Sequence, residues 1–368
     1  DVVSLDAAVE YLTARGQTAA VDMLQSAKKR KSTTVYLGST TETGKNRDDF
    51  GKIVNGMIDN IPAKQRASRI VVVDSDLEGS CGLHHIKKAH PEVYVSGGIM
   101  ERDNYLFAAG FGSEEGKQGV FGTFAAFLEM VVSEITMARL NDANVLAHFS
   151  HSGVDDMADN TCHFGISNFM ADNGISDGDT TRLYFPADPH QMKAVVETIF
   201  NDPGLRFIFS TRSAVPYILD QKGKQFFNPA NGYEFVPGKD EVIRPGKDGY
   251  VVAYGEMLYR ALTAVENLRT SGIDVGLINK PTLNVVDEET MKLVGKSPFV
   301  LVVESQNYKN GLGSRFGTQL LERGFHPKYQ RLGVTKHGIS GLGEQIDHQG
   351  LDPNNIAKVA RQLYANKS

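Results

Sequence analysis

The sequence predicts an α/β protein made of two doubly wound domains, each built on a mostly parallel sheet. Short runs such as residues 70–73 are continuous in β-branched residues, which is typical of strands buried on both faces of a parallel sheet. Helical stretches separate these runs, and alternation of strand and helix indicates βαβ units. At 368 residues the chain is too long for one typical core, so two domains are expected.

In the first half, apolar residues at helical spacing within residues 1–31 predict helices. Strands are predicted at residues 34–37, 70–73, 93–95, 145–149, 183–185 and 207–209. Helices are predicted at residues 46–61, 121–140 and 188–201. The boundaries that follow are a helical N-terminal segment over residues 1–32 and a first domain over residues 33–220.

Glycine and proline punctuate residues 221–248, which predicts an irregular connector. A second and smaller α/β domain is predicted over residues 249–368. Its strands are expected at residues 250–254, 273–278 and 299–303, and its helices begin near Met257, Gly313 and Asn354. Asp352-Pro353 is a typical signal for the start of the last helix.

Composition excludes several classes of partner. The net charge is −5 and the pI is near 6.1, which argues against a surface for nucleic acid or anionic membrane. No apolar run approaches the roughly 18–20 residues that cross a bilayer. Cys81 and Cys162 form neither a disulfide framework nor a zinc pattern, so a reducing cytoplasm is the expected compartment.

The chemistry-bearing residues cluster between residues 96 and 163. Glu101 follows a predicted strand and a Gly-Gly pair, and two phenylalanines, Phe124 and Phe127, follow on a glycine-rich approach. His151 and His163 bound a polar loop. Ligands of α/β proteins bind at the carboxyl ends of the strands, so these residues predict a pocket there.

Each residue type also has an ordinary structural explanation. An acid at a helix start is favoured by the helix dipole, and phenylalanines often pack in a core. His148, His151 and His163 lack spaced acidic or cysteine ligands, so no metal site is predicted. His84, His85 and His90 are expected to cover a helix surface.

The order of these motifs resembles the pyrimidine-binding and C-terminal domains of the transketolase family of thiamine diphosphate enzymes. Gly98-Ile99-Met100-Glu101 resembles the context of the family's catalytic glutamate, which hydrogen-bonds the cofactor's pyrimidine N1′. Thr123-Phe124-Ala125-Ala126-Phe127 resembles the family's pyrimidine-stacking aromatics. The sequence departs from the family pattern where Arg102 stands for a histidine and Met130 for a tyrosine, and where residues 154–158 replace a glycine-rich, glutamate-containing segment.

The substrate residues are also implied by this resemblance. His151, Asp159 and His163 reproduce the family's sugar-binding register, and both histidines are expected in catalysis. The string from Asp76 to Ser80 resembles a family loop that places Asp76 at the cofactor and Ser80 at the substrate phosphate. The two arginines that match the same phosphate site are Arg212 and Arg47.

The family's diphosphate clamp is not recognised in the sequence. Asp177-Gly178-Asp179 is the nearest string to its Gly-Asp-Gly motif, and no matching asparagine follows. The resemblance therefore implies thiamine diphosphate and Mg²⁺ shared with a partner subunit, with weak or absent binding by this chain alone. A dimer and a sugar-phosphate substrate are expected. A cofactor-free, non-catalytic or regulatory homodimer and a β-type subunit of a 2-oxo acid dehydrogenase are the alternatives.

Overall fold

The computed structural model describes residues 5–26, 35–155, 163–176, 178–339 and 345–365. The chain divides into two compact units, with the boundary after Val35. The first unit contains the helices α1 (Leu5–Thr13) and α2 (Thr18–Ser26), in agreement with the helices predicted there. Neither helix has a fully buried residue.

The second unit, residues 36–368, carries the strands and the remaining helices. Its strands are β1 (Ser39–Gly44), β2 (Ile70–Asp74), β3 (Tyr94–Ser96), β4 (Gln118–Phe124), β5 (Val145–Ser150), β6 (Arg182–Tyr184), β7 (Leu205–Phe209), β8 (Val215–Ile218), β9 (Glu241–Arg244), β10 (Tyr250–Ala253), β11 (Gly276–Asn279), β12 (Phe299–Asn307) and β13 (Lys328–Val334). Its helices are α3 (Asn46–Asp59), α4 (Arg66–Arg69), α5 (Glu78–Cys81), α6 (His84–Ala89), α7 (Glu101–Gly112), α8 (Val132–Leu140), α9 (Pro189–Ile199), α10 (Met257–Thr270), α11 (Glu288–Gly295), α12 (Leu312–Glu322), α13 (Gln345–Gln349) and α14 (Pro353–Ala365).

Two mostly parallel sheets organise this unit, as the sequence predicts. The first has six strands in the order β3-β2-β4-β5-β7-β6, and every pair is parallel. The second has five strands in the order β13-β12-β10-β11-β9, and only β9 is antiparallel to its neighbour. A separate antiparallel pair joins β1 to β8.

Both faces of the first sheet are covered. Successive strand side chains point to opposite faces, so a strand buried on both sides must be apolar throughout. Along β2, Ile70 and Val72 pack with α3, α6 and α9, whereas Val71 and Val73 pack with α7 and α8. The second of these clusters continues into residues of β10 and β12, so the two sheets share one core.

The helix predicted over residues 121–140 is wrong in its first part, where the structure has the strand β4. Residues 118–124 lie between β2 and β5 in the sheet, and the helix begins only at Val132. Gly119 has no room for a side chain: an added Cβ would lie 2.2 Å from the carbonyl oxygen of Ala108 on α7. Pairing on both edges and this close helix contact outweigh the local helical pattern.

Two smaller differences concern the ends of the first domain and the connector. Residues 35–37 are not a strand, since the chain turns at Gly38 with φ +76° and β1 begins at Ser39. The segment 221–248 contains β9, whose pairing with β11 could not be read from its punctuated sequence. In the described ranges no helix is long and apolar enough to cross a membrane.

Candidate active site

Glu101 lies at the start of α7, at the carboxyl edge of the six-stranded sheet. The chain leaves β3 through Gly97 and Gly98, and Gly98 has a φ of +67°, which glycine adopts without strain. Asn104 fixes this turn because its side-chain amide donates to the carbonyl of Gly98 at 2.9 Å and to the hydroxyl of Ser75 at 3.1 Å. The Gly97-Gly98 turn thus places Glu101 at the sheet edge, and the side chain of Asn104, from α7, holds this turn in position.

Glu101 is largely buried, with 4% of the residue exposed. Its carboxyl makes no hydrogen bond or ion pair with another described residue, and its oxygens are not among the fully enclosed unpaired atoms, so they reach solvent at the sheet edge. The positive end of the α7 dipole favours a negative charge at this position. Its neighbour Arg102 instead pairs with Glu134 of α8, with a shortest N–O distance of 2.5 Å.

Phe124 and Phe127 lie close to both predicted histidines. Phe124 ends β4, and Phe127 follows in a short 3-10 helix, Ala125–Val131, with ring centroids 5.9 Å apart. The ring of His151 stacks on Phe124 at 4.0 Å and 23°. The ring of His163 lies 5.2 Å from Phe124 and 6.1 Å from Phe127. The structure thus gathers four of the predicted site residues into one aromatic cluster.

Backbone contacts hold the chain around His151. His151 itself has a φ of +56°, which is uncommon for a residue other than glycine. Ser152 N–H donates to the carbonyl of Ser210 at 2.9 Å, and Gly153 N–H donates to that of Gly165 at 2.8 Å. These contacts fix both ends of the loop, while Asp159 lies outside the described residues.

Arg47, Ser80 and Arg212 come together from three elements. The guanidinium of Arg47, on α3, donates to the carbonyl oxygen of Arg212 at 3.1 Å. It also donates to the carbonyl oxygens of Gly79 and Ser80 at 3.3 Å each. Asp76 lies in the loop before these residues, with an exposed side chain and a φ of +63°. The predicted phosphate residues therefore form one group, and Asp76 is on its solvent side.

A buried polar network that sequence reasoning missed supports β5. His148 Nδ1 lies 3.2 Å from the carbonyl oxygen of Cys81, so this nitrogen carries the proton. His148 Nε2 lies 2.8 Å from the hydroxyl of Ser210. Burial lowers the pKa of His148 to about 3, so the imidazole is neutral. Burial raises the pKa of the Cys81 thiol to about 12, which makes it unreactive.

Glu256, which lies between β10 and α10 in the second domain, was also missed. An added Cβ on Gly153 would lie 3.0 Å from Glu256 Oε1, which places this acid directly behind the histidine loop. Burial raises the pKa of Glu256 to about 7, although Ser305 and Arg260 work in the opposite direction. No short sequence motif marks it, because its proximity to the loop depends on how the two sheets pack.

A polar pocket lies away from these residues. It has a volume of about 150 Å³ and is lined by charged residues such as Asp172, Arg182 and Arg315. None of the predicted site residues lines it.

Comparisons with known proteins identify the class of protein. The model of the transketolase pyrimidine-binding domain matches residues 61–217, and the model of the transketolase C-terminal domain matches residues 238–356. The chain thus carries a transketolase pyrimidine-binding domain followed by a transketolase C-terminal domain. The chain belongs to the transketolase family.

Three curated relatives illustrate the range of that family. A putative transketolase C-terminal section of Methanocaldococcus jannaschii is 26% identical over 298 residues, covering 80% of this chain and 90% of the relative. A subunit of the apulose-4-phosphate transketolase of Actinobacillus succinogenes is 25% identical over 318 residues, covering 84% and 98%. Human transketolase is 24% identical over 303 residues, covering 81% and 46%. The chain thus spans nearly all of the two shorter relatives and about half of the human enzyme.

Solved structures show the same fold. A split-gene transketolase described as an inactive β4 tetramer superposes with a TM-score of 0.72 at 24% identity, covering 88% of this chain and 99% of that one. A transketolase from Pichia stipitis in complex with sedoheptulose 7-phosphate superposes with a TM-score of 0.68 at 18% identity, covering 89% and 46%.

Proposed function

We propose that this chain is one subunit of a two-subunit transketolase that transfers a two-carbon ketol unit between sugar phosphates. The observation that carries the proposal is the largely buried Glu101 at the sheet edge, whose carboxyl has no hydrogen-bonding partner among the described residues. A pyrimidine nitrogen is a suitable partner for such a group, and the aromatic pair at the same sheet edge suits a flat heterocycle.

The residues of this chain fit the pyrimidine end of thiamine diphosphate. When bound, that cofactor supplies a nucleophilic carbon that the protein's own side chains lack. Glu101 would hold a proton shared with the pyrimidine N1′, and Phe124 and Phe127 would contact the ring. A carboxyl held at the start of α7 is rigidly positioned, because Asn104 locks the turn before it.

The substrate side would use the histidine loop and the arginine group. His151 and His163, held against Phe124, would orient the sugar and exchange protons with its oxygens. Asp159 is proposed for the same role. Arg47, Ser80 and Arg212 would bind the substrate phosphate, since guanidinium groups match phosphate geometry. Asp76 would face the cofactor from the adjoining loop.

A partner subunit would supply the diphosphate and Mg²⁺ site. Two relatives that this chain spans almost completely are named as a transketolase subunit and as a C-terminal section. Large apolar side chains also lie exposed beside Glu101 and along α7, as exemplified by Ile99, Met100 and Phe107. Exposed apolar groups of this kind mark protein interfaces, so a second chain is expected to cover this edge.

Titration calorimetry tests the proposal. Thiamine diphosphate with Mg²⁺ is titrated into this chain, into a candidate subunit carrying a Gly-Asp-Gly domain, and into their mixture. We expect strong binding only in the mixture, together with ketol transfer from a ketose phosphate to an aldose phosphate. Lack of binding in all three samples would contradict the proposal and favour the cofactor-free homodimer. Oxidative decarboxylation of a 2-oxo acid by the mixture would favour the dehydrogenase subunit.

A further inference from the structure

Three side chains with metal-binding groups meet outside the site described above. Asp48 lies in the first turn of α3, and His84 and His85 begin α6. The Nε2 atom of His85 lies 2.9 Å from Asp48 Oδ1, and that of His84 lies 3.8 Å from the same oxygen. One ligand atom from each residue falls within 4.8 Å of the others, and all three residues are half-buried.

These distances suit coordination of one small ion. Zinc bonds to histidine nitrogen and carboxylate oxygen are about 2.0–2.2 Å long, so ligand atoms around one tetrahedral ion lie roughly 3.3–3.6 Å apart. The two observed separations, 2.9 and 3.8 Å, lie on either side of that range. Small side-chain rotations would therefore bring all three atoms to coordination distance.

The surrounding contacts orient the histidine nitrogen atoms that would bind the metal ion. His84 Nδ1 lies 3.3 Å from the carbonyl oxygen of Glu78, which can only accept, so Nδ1 carries the proton and Nε2 keeps its lone pair. A backbone carbonyl behind a ligating histidine is the usual supporting contact in metal sites. The imidazole rings of His84 and His85 also lie against each other, with centroids 3.9 Å apart.

Lys52 is a positively charged neighbour that would repel a bound cation. Its ammonium contacts Asp48 Oδ2 at 2.7 Å, leaving Oδ1 directed toward the histidines. The Lys52 side chain is 52% exposed, so it can move toward solvent when an ion arrives. The carboxylate would then bind the ion through one oxygen.

We propose that Asp48, His84 and His85 form a binding site for one zinc-class divalent ion, which cross-links α3 to α6. Two imidazoles and one carboxylate favour zinc, cobalt or nickel, whereas Mg²⁺ prefers oxygen ligands. The site differs in ligand chemistry from any Mg²⁺ site of a thiamine enzyme, and it does not depend on the function proposed above. Its partial exposure leaves the remaining coordination positions to water.

The test titrates ZnCl₂ and, separately, MgCl₂ into the full chain in a chelator-free buffer, with calorimetry and thermal unfolding as readouts. We expect one zinc ion per chain, a raised melting temperature with zinc, and no comparable effect of magnesium. His84→Asn and Asp48→Asn should each weaken zinc binding by about 10–100-fold or more, because removal of even a supporting contact costs that much.

His326→Asn is the matched control, since His326 is an exposed histidine remote in sequence from the cluster. Its zinc affinity should equal that of the unaltered chain. All variants are first compared for metal-free melting temperature, so that misfolding is recognised, and Asp48→Asn and His84→Asn provide independent checks. Zinc binding that is absent in the unaltered chain, or that is unchanged in both cluster variants, would overturn the proposal.

Discussion

At the scale of single residues, the site combines the largely buried Glu101 with two residues, His151 and Asp76, whose backbone conformation is uncommon. His151 adopts a positive φ, as does Asp76, and such conformations persist only where neighbouring contacts impose them. At His151 the next two residues are bonded to the carbonyls of Ser210 and Gly165. The ring is thereby set on Phe124 by the backbone around it.

The neutral state of His148 gives a testable dependence of stability on pH. Its folded pKa is about 3 against an ordinary value of 6.5, so folding disfavours its protonation. The associated stability is present above pH 6.5 and is lost as the pH falls toward 3. The difference in pKa corresponds to an upper limit of about 5 kcal/mol.

Replacement of this residue should remove that dependence. His148→Gln retains a donor for the Cys81 carbonyl and an acceptor for the Ser210 hydroxyl. We expect it to be less stable than the unaltered chain at pH 7, because packing against Phe50 is lost, but to lose less stability between pH 6.5 and 4. Urea unfolding at each pH measures this. If the free energy of unfolding depended on pH in the same way in both proteins, the assignment of a neutral His148 would be contradicted.

Residue-level prediction from sequence depends on local motifs. Glu101 and the phenylalanine pair could be singled out because each lies in a short string with a fixed order, and their functional roles stay predictions. The contact of Asp48 with His85 was not recognised, since the two residues are separated by 37 positions and meet only when α3 packs on α6. Spacing in the sequence carries no information about such a contact.

At the scale of elements, α3 is the helix on which the arginine group depends. It approaches the turn between α5 and α6 so closely that a Cβ on Gly51 would lie 1.9 Å from the carbonyl oxygen of Gly82. Gly82 has a φ of +75°, so this turn cannot easily shift. This contact fixes the position of α3 relative to the turn. It therefore also fixes the position from which Arg47 reaches the carbonyl oxygen of Ser80.

Two glycine replacements on α3 should therefore act in opposite directions. Gly51→Ala should lower the free energy of unfolding by about 1–3 kcal/mol, because the methyl group overlaps backbone. Gly56→Ala, on the exposed side with no atom within 4 Å, should raise it by about 0.5–1 kcal/mol. Denaturant unfolding of both variants measures the difference. If both changes had the same effect on the free energy of unfolding, the close approach of α3 to Gly82 would not contribute to stability.

Element prediction failed mainly where tertiary pairing decides. Residues 118–124 contain alanine-poor, glycine-containing sequence that continues into a helix, and only the neighbours β2 and β5 select a strand there. By contrast, α3, α10 and α14 were predicted closely because their apolar positions recur at helical spacing. Periodicity identifies an amphipathic helix, but it does not identify a central strand.

At the scale of the whole molecule, the two sheets are joined behind the histidine loop. Val154 N–H donates to the carbonyl of Ser305 at 3.3 Å, and the side-chain amide of Gln306 donates to the hydroxyl of Ser152 at 3.1 Å. Both partners belong to β12 of the second sheet. The second domain thus supports the loop that carries His151.

Glu256 lies in this junction and should make stability depend on pH. Burial raises its folded pKa to about 7 from an ordinary value of 4.5, with Arg260 and Asp155 as charged neighbours. A raised pKa means that stability is fully present below pH 4.5 and is lost as the pH rises through 7. Glu256→Gln should therefore be more stable than the unaltered chain at pH 8, by at most about 3 kcal/mol, and similar at pH 4.

Urea unfolding at pH 4 and pH 8 measures this effect, with Glu322→Gln as the control because Glu322 is an exposed glutamate. The control should follow the unaltered chain at both pH values. A Glu256→Gln protein that is destabilised at pH 8 would show that the carboxylate is favourably paired. The fold class was predictable from the alternation of elements, whereas this junction was not, because it arises from contacts between the domains.

The most direct test of the account concerns Glu101 in the assembled enzyme. Glu101→Gln keeps the size of the side chain and removes its ability to share an acidic proton. We expect both ketol transfer and deuterium exchange at the thiazolium C2 of bound thiamine diphosphate to fall by about 10²–10⁴-fold. Glu114→Gln, at an exposed acid just beyond α7, should leave both rates unchanged. Rates for Glu101→Gln close to those of the unaltered enzyme would contradict the proposed role of Glu101.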